Sequence, residues 1–373
     1  MAMFGWATKD APDTLRAARI LAHRLGEMEK LVSVLNNISA YHTMICEFSN
    51  AAEVVNEIYS LRESDPHAVA LVTACAQDSM IKCWQGNFVE AQKLGDSLLD
   101  VYDFEKHKDL VHRHNHDPKC VSLSWGGLTN WALGWPDQAK QTSSEQLELA
   151  RELGHAWNLI WALTGGTSAM LLREETSLVL ERAAEALTIA QEHAMDFVEH
   201  SVCPFWAGQA LIASGHDAKG LEQLSAGTKL WRASGGLIWV PFCQAMMAQA
   251  LTRLGRPDEA AKVIEETLEL IEATGHRNAE AEVHRIKGWF LQSDLIQDLS
   301  GAERSFMKAI DVARSQQAKG WELRAATSLA RFWQSQGKSH EAHDLLAPVH
   351  SWFTEGFDTL DLIEAKALLD ELA

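Results

Sequence analysis

Strand-forming material is scarce in this chain of 373 residues, which has three tyrosines and few runs rich in valine, isoleucine or threonine. A β-sheet is therefore excluded as the organising layer. Long apolar runs are missing too: no stretch approaches the roughly 18 residues of a membrane span. The opening Met1-Ala2-Met3-Phe4-Gly5-Trp6 lacks the charged and extended apolar regions of a secretory leader. A cytoplasmic location with no membrane partner is the expectation. The six cysteines (Cys46, Cys75, Cys83, Cys120, Cys203, Cys243) contain no C-x-x-C pair. They read as reduced, buried small residues rather than a disulfide framework. Basic residues are outnumbered 33 to 51, for a net charge of −18. That balance counts against nucleic acid as a partner and favours a basic one.

Chemical motifs are equally thin. There is no G-x-S-x-G elbow and no Gly-rich dinucleotide loop following a strand. Gly337-Lys338-Ser339 supplies the second half of a P-loop, but position 332, where its first glycine belongs, is Phe. His340-Glu341-Ala342-His343 spaces its histidines by three, whereas a zincin helix needs four. No catalytic residue and no cofactor are assigned, and the reading favours a non-catalytic role.

What the chain does have is a recurring hexapeptide, clearest at Gly255-Arg256-Pro257-Asp258-Glu259-Ala260. Gly255 can end one helix in the left-handed conformation, and Pro257 fits the first turn of the next. Asp258 and Glu259 favour the positive end of that helix, and Ala260 admits a close neighbour. Related copies start at Gly86, Gly134, Gly215 and Gly337, with degenerate ones near 173–177 and 297–302. The interval of roughly 40 residues is that of a helical-pair repeat. Helices are expected over 29–48 and 51–62, 67–84 and 88–101, 118–133 and 136–153, 156–172 and 177–193. They continue over 197–214 and 218–233, 238–254 and 257–274, 278–292 and 301–317, 320–336 and 339–353. Residues 12–26 read as an orphan first helix, 102–117 as an inserted loop and 358–373 as a C-terminal capping helix started by Asp358 or Thr359. The fold class is all-α: residues 1–373 form a single right-handed superhelical solenoid of antiparallel helix pairs.

Three stretches carry a resemblance to a known group. They are His116-Asp117-Pro118-Lys119-Cys120 with Trp131 to Ala139, then Ala309 to Lys319 with Glu322 to Ala326, and the tail Leu345 to Thr359. The chain resembles the tetratricopeptide-like region at the C-terminal end of bacterial class III adenylate or guanylate cyclases and related P-loop signalling ATPases. The resemblance implies an accessory, interaction-type role in signalling, and a cyclase or P-loop ATPase as partner. It does not bring the enzymatic activities, because neither module is present.

Trp333 and eight further tryptophans fall on first helices of pairs, which line the inner surface of such a superhelix, and the eight are singled out: Trp125, Trp131, Trp157, Trp161, Trp206, Trp239, Trp289 and Trp321. They are the candidate concave-face residues for binding a peptide or flat ligand, against the plainer reading that they fill the core. His112, His114, His116 and Cys120, with His107 and Asp117, are of zinc-ligand type but lack a finger spacing. The plainer reading has Asp117 capping a helix that starts at Pro118. The expected function is a protein- or peptide-binding scaffold. Alternatives are a small-molecule sensor using the groove, and a metal-dependent enzyme using the 107–120 segment. A homo-oligomer through the exposed N-terminal helix is compatible with each.

Overall fold

The computed structural model describes residues 11–65 and 67–373, and among these the secondary structure is helical with no strand. The helix α1 (Ala11–Leu25) precedes α2 (Met28–Met44) and α3 (Phe48–Ser60), the first antiparallel pair, and α4 (Val69–Trp84) with α5 (Phe88–Leu99), the second. Two short helices, α6 (Phe104–His107) and α7 (Leu110–His114), form an insert before α8 (Pro118–Leu133) and α9 (Pro136–Leu153). The fourth pair is α10 (Ala156–Leu163) running through a tight turn into α11 (Ser168–Leu172), then α12 (Thr176–Glu192). A wide turn at Val198–Val202 leads into α13 (Cys203–Ala213), which pairs with α14 (Asp217–Ala233). The remaining pairs are α15 (Val240–Arg253) with α16 (Pro257–Thr274), α17 (Glu280–Gln292) with α18 (Leu299–Ser315), and α19 (Lys319–Ser335) with α20 (Ser339–His350). The last helix, α21 (Leu360–Leu372), lays Leu362, Ala365 and Leu368 over the final pair.

The repeated turn works as its residues dictate. Gly86, Gly134, Gly215, Gly255 and Gly337 all have positive φ, between 71° and 94°. Four of the five following helices bury the alanine of the motif: Ala91, Ala139, Ala260 and Ala342 are at most 4% exposed. In the remaining copy the residue is Gly220, where an added Cβ would stand 2.8 Å from the Ile212 nitrogen and 2.9 Å from the Gly208 oxygen. The tighter approach of α14 to α13 is why even alanine is too large there.

Three expectations need correction. The 102–117 segment is built from helices rather than loop, with Asp103 capping α6 through the Lys106 N–H. The helix expected over 156–172 breaks at Thr164 (φ −120°, ψ −84°). Gly165 and Gly166 are poor helix formers, and the hydroxyls of Thr164 and Thr167 back-bond to Ile160 O and Thr164 O at 2.7 and 2.6 Å. At the far end, Thr359 holds the N-cap of α21, but its hydroxyl donates backwards to Gly356 O at 2.7 Å instead of capping the helix.

The superhelix closes on itself. Leu237 N–H donates to Met44 O at 2.8 Å and Arg277 N–H to Trp84 O at 2.9 Å, each joining one pair to another a full superhelical turn away. Further along the seam, the Trp131 and Trp321 rings meet edge to face at 4.6 Å. The segment between α20 and α21 finishes the closure. There Glu355 accepts the Asp137 and Gln138 N–H groups at 2.9 and 3.1 Å, capping α9 from 218 and 217 residues away. Gly356 N–H donates to Asp137 at 3.0 Å, and buried Arg173 bonds Asp137, Glu175 and Asp358. Trp352 packs on Trp135 with ring centres 5.1 Å apart.

Candidate functional site

The position of the tryptophans follows from that closure. Trp84, Trp125, Trp161, Trp206 and Trp239 come from five successive pairs and meet around the superhelical axis. Their contacts are 4.9 Å (Trp84 to Trp125), 5.8 Å (Trp125 to Trp161), 4.9 Å (Trp206 to Trp239) and 4.8 Å (Trp239 back to Trp84). The rings cross at steep angles, the arrangement that sets electropositive edges on neighbouring π faces. Of the eight candidates, Trp125, Trp131, Trp157, Trp161, Trp206, Trp239 and Trp321 are at most 4% exposed. The second to sixth pairs therefore fill the axis with side chains. Trp289 is different: it is half-buried and its ring borders an open cavity.

The zinc-type residues are separated by their own partners. His107 accepts the Asp103 N–H at Nδ1 (2.9 Å) and donates from Nε2 to His67 O (2.7 Å). His116 Nε2 accepts the Trp157 indole N–H at 2.8 Å, and Cys120 Sγ accepts from the Asn158 amide at 3.1 Å. Burial pushes the Cys120 thiol well up. His112 is exposed beside His155, whereas His114 is 1% exposed and lowered to about 3 by burial. Asp117 caps α8 as read, accepting the Cys120 N–H at 2.9 Å. Among the described residues no three His, Cys, Asp or Glu side chains are placed to hold a metal ion.

The cavity beside Trp289 is the feature best built for a ligand. It has a volume of about 370 Å³, within the range of small-ligand and peptide sites. Its walls are the inner faces of α15, α17 and α19, with α21 closing one side and residues 171–174 of the preceding turn another. Apolar contact comes from Phe242, Met246, Ile286 and Trp289, but the wall is mainly charged. Glu282 and Arg285, one helical turn apart on α17, form a two-pronged pair at 2.7 Å for each bond. Burial disfavours the Glu282 charge, but Arg285 and Arg324 outweigh it and hold the carboxylate below its usual range.

Arg324 is the centre of this wall. Its Nε donates to both Asp361 oxygens at 2.9 and 3.0 Å, and its Nη2 to Leu172 O at 2.6 Å. Its guanidinium lies 4.8 Å from the Trp131 ring centre and 5.7 Å from that of Trp321. Burial works against the charge, yet Asp361, Glu282 and Glu174 raise its pKa above the ordinary arginine value. One side chain thus joins the cavity wall, the capping helix and the preceding superhelical turn.

The sequence reading found Trp289 and missed Glu282, Arg285, Arg324, Asp361 and Glu174. A signal existed for the first two, because charges three apart on a helix share a face. Nothing local marked that face as inward. Arg324 and Asp361 stand on different helices, and Glu174 lies in a turn, so only folding brings them together.

By fold the chain is a tetratricopeptide-like solenoid with a polar cleft in its C-terminal half. No protein-family model matches it. Among solved structures it is similar to a Rap protein complexed with Competence and Sporulation Factor, with a TM-score of 0.65, 11% identity and 98% of this chain and 95% of that chain covered. It is also similar to aspartyl phosphate phosphatase F from Bacillus subtilis, with a TM-score of 0.52, 12% identity and coverage of 91% and 88%. In sequence it is 24% identical over 252 residues to an uncharacterized protein of Rhizobium meliloti (strain 1021). That match takes in 65% of this chain and 24% of the relative, so the chain corresponds to about a quarter of the relative's length. Among the described residues no helix is long and apolar enough to cross a membrane.

Proposed function

We propose that this chain is a non-catalytic scaffold that binds a short polar peptide, or an exposed segment of a protein, in the cleft lined by α15, α17, α19 and α21. The observation that carries the reading is the cleft itself. Inner faces of three successive pairs converge on one cavity of about 370 Å³ whose wall is a network of paired charges. A charged wall held by internal partners keeps its geometry without a ligand, which lowers the ordering cost of binding. A Rap protein of the same fold is solved with Competence and Sporulation Factor bound, and this supports the assignment of a ligand-binding role to the solenoid.

The test is titration of the full chain with a random pentapeptide library, read by fluorescence anisotropy. Saturable binding is expected for a subset, and the variants Trp289→Ala and Ser328→Trp, which open and fill the cleft, should abolish it with helix content unchanged. Peptide binding that survives both variants would place the ligand elsewhere. Binding of small metabolites in place of peptides would favour the sensor reading.

The finer assignment is that the scaffold serves a cyclase- or ATPase-linked signalling system of bacteria. The three sequence stretches quoted above support it, the tail most of all, because that tail supplies Glu355, Gly356 and Asp358 to the seam. Ile20, Leu21 and Leu25 are about half exposed on α1, a surface on which such a partner or a second copy would pack. Affinity purification from a bacterial lysate, followed by mass spectrometry, tests it: enrichment of a cyclase or P-loop ATPase supports the assignment, and enrichment of unrelated proteins refutes it.

A further inference from the structure

The charges around the cleft are unevenly used. Each arginine on its wall has an internal partner: Arg253 bonds Asp217 and Ile212 O, Arg285 bonds Glu282, Arg324 bonds Asp361 and Leu172 O, and Arg331 bonds Glu364. The acceptors Glu282, Asp361 and Glu364 are occupied by the same bonds. Glu174 is the exception. Its carboxylate makes no side-chain hydrogen bond, and its nearest cation, Arg324 Nη2, stands off at 3.9 Å. Its side chain is 36% exposed on the same cavity wall, so the carboxylate is open to an incoming donor.

A second group in the wall is also unsatisfied. The Thr327 hydroxyl, on a residue 8% exposed that lines the cavity, has no hydrogen-bond partner. Trp289, which is partly buried, adds an aromatic side chain to the same cavity lining, a group that attracts a cation. The wall therefore offers a carboxylate with no hydrogen bond beside an aromatic side chain, while each of its guanidinium groups already holds a carboxylate.

We propose that the cleft recognises a cationic group, a lysine or arginine side chain or a free N-terminal ammonium of a peptide, which binds the Glu174 carboxylate. This rests on the peptide-binding reading above and names the chemistry of its ligand. An incoming ammonium or guanidinium replaces the missing donors of Glu174 with a charge-assisted bond. An anionic ligand would meet guanidinium groups whose charge Asp361, Glu282 and Glu364 already offset. The negative charge of the chain as a whole draws the same kind of ligand.

The experiment uses the full chain and three pools of labelled pentapeptides of matched length: one containing Lys and Arg, one containing Asp and Glu, and one neutral and polar. Anisotropy titrations should show the cationic pool binding at least about tenfold tighter than the acidic pool, in line with a hydrogen bond to a charged group. Glu174→Gln keeps the shape and removes the charge, and should erase most of that preference; Glu174→Lys should invert it. Circular dichroism and the thermal midpoint of both variants report that the fold is kept. Tighter binding of the acidic pool, or a cationic preference untouched in folded Glu174→Gln, would overturn the assignment of Glu174 while leaving a peptide site in place. Binding of none of the three pools would refute the peptide reading and this inference with it.

Discussion

Gly134→Ala is the most direct probe of the closed superhelix, because the same motif supplies its own controls. Gly134, Gly255 and Gly337 occupy the equivalent turn position, with φ of 94°, 71° and 77°. Alanine at any of them meets the same backbone penalty for left-handed geometry, about 1–2 kcal/mol. The surroundings differ. An added Cβ at Gly255 or Gly337 has no neighbour within 4 Å, whereas at Gly134 it lies 2.5 Å from the Trp352 ring and 2.8 Å from Lys319 Cβ. Those two residues belong to the next superhelical turn and the tail. Forcing them apart adds an overpacking cost of about 1–3 kcal/mol. Gly134→Ala should therefore be destabilised by about 2–5 kcal/mol, against about 1–2 kcal/mol for Gly255→Ala and Gly337→Ala. Urea unfolding followed by tryptophan fluorescence measures the difference. Hydrogen exchange locates it: Gly134→Ala should deprotect the Asp137 and Gln138 amides that Glu355 accepts, together with residues 351–359, while the controls lose protection only beside their own turn. Equal destabilisation in all three variants, with the tail protected in each, would refute the closure as an energetic unit.

Other outcomes follow from the same packing. Gly208→Ala would place a Cβ 2.5 Å from the Leu224 nitrogen and should cost about 1–3 kcal/mol or more, while Gly126→Ala meets only the Thr142 methyl at 3.4 Å and should be neutral or stabilising by up to about 1 kcal/mol; paired thermal melts distinguish them. Trp131→Ala, which removes the face under Arg324 and the partner of Trp321, should cost about 3–5 kcal/mol in urea unfolding. His114 and His276 are both lowered to about 3 by burial, so the folded state keeps them neutral while the unfolded chain takes up a proton near its ordinary value of about 6.5. Their contribution is complete above that value and is lost as pH falls from about 6.5 towards 3, at about 2 kcal/mol for each histidine by pH 5. His276→Phe should therefore flatten the acid limb of a stability profile by about one proton, and an unchanged slope would show that this histidine is not the source.

The cleft links the energetics to the proposed function through Arg324. Its three kinds of contact lie in different parts of the chain: Asp361 on the capping helix, Leu172 O in the preceding superhelical turn, and the rings of Trp131 and Trp321. Removing the guanidinium would leave Asp361 and Glu282 short of a cation in a largely buried wall. A variant at Arg324 therefore tests stability before it tests binding, whereas Glu174, whose side chain makes no hydrogen bond and only a 3.9 Å contact with Arg324, reports on binding with little structural consequence.

The sequence by itself determined the repeat and the fold class. Left-handed glycines at 86, 134, 215, 255 and 337, prolines at the first helical positions 136 and 257, and the Asp117 cap are local devices. Each works within a few residues, so a linear reading finds it. The apolar stripes that pair neighbouring helices are legible for the same reason. What only the tertiary structure decided is the closure. The small rotation between successive pairs accumulates until Leu237 meets Met44, Arg277 meets Trp84 and Trp321 meets Trp131. That sum decides whether a first-helix tryptophan lines a groove or fills an axis, and it sent Trp125, Trp161, Trp206 and Trp239 into the axis while leaving Trp289 on a cavity. It also gathered Glu174, Glu282, Arg324 and Asp361, which share no spacing along the chain. Their meeting depends on superhelical pitch, a property of the stacked pairs as a whole and of no single segment.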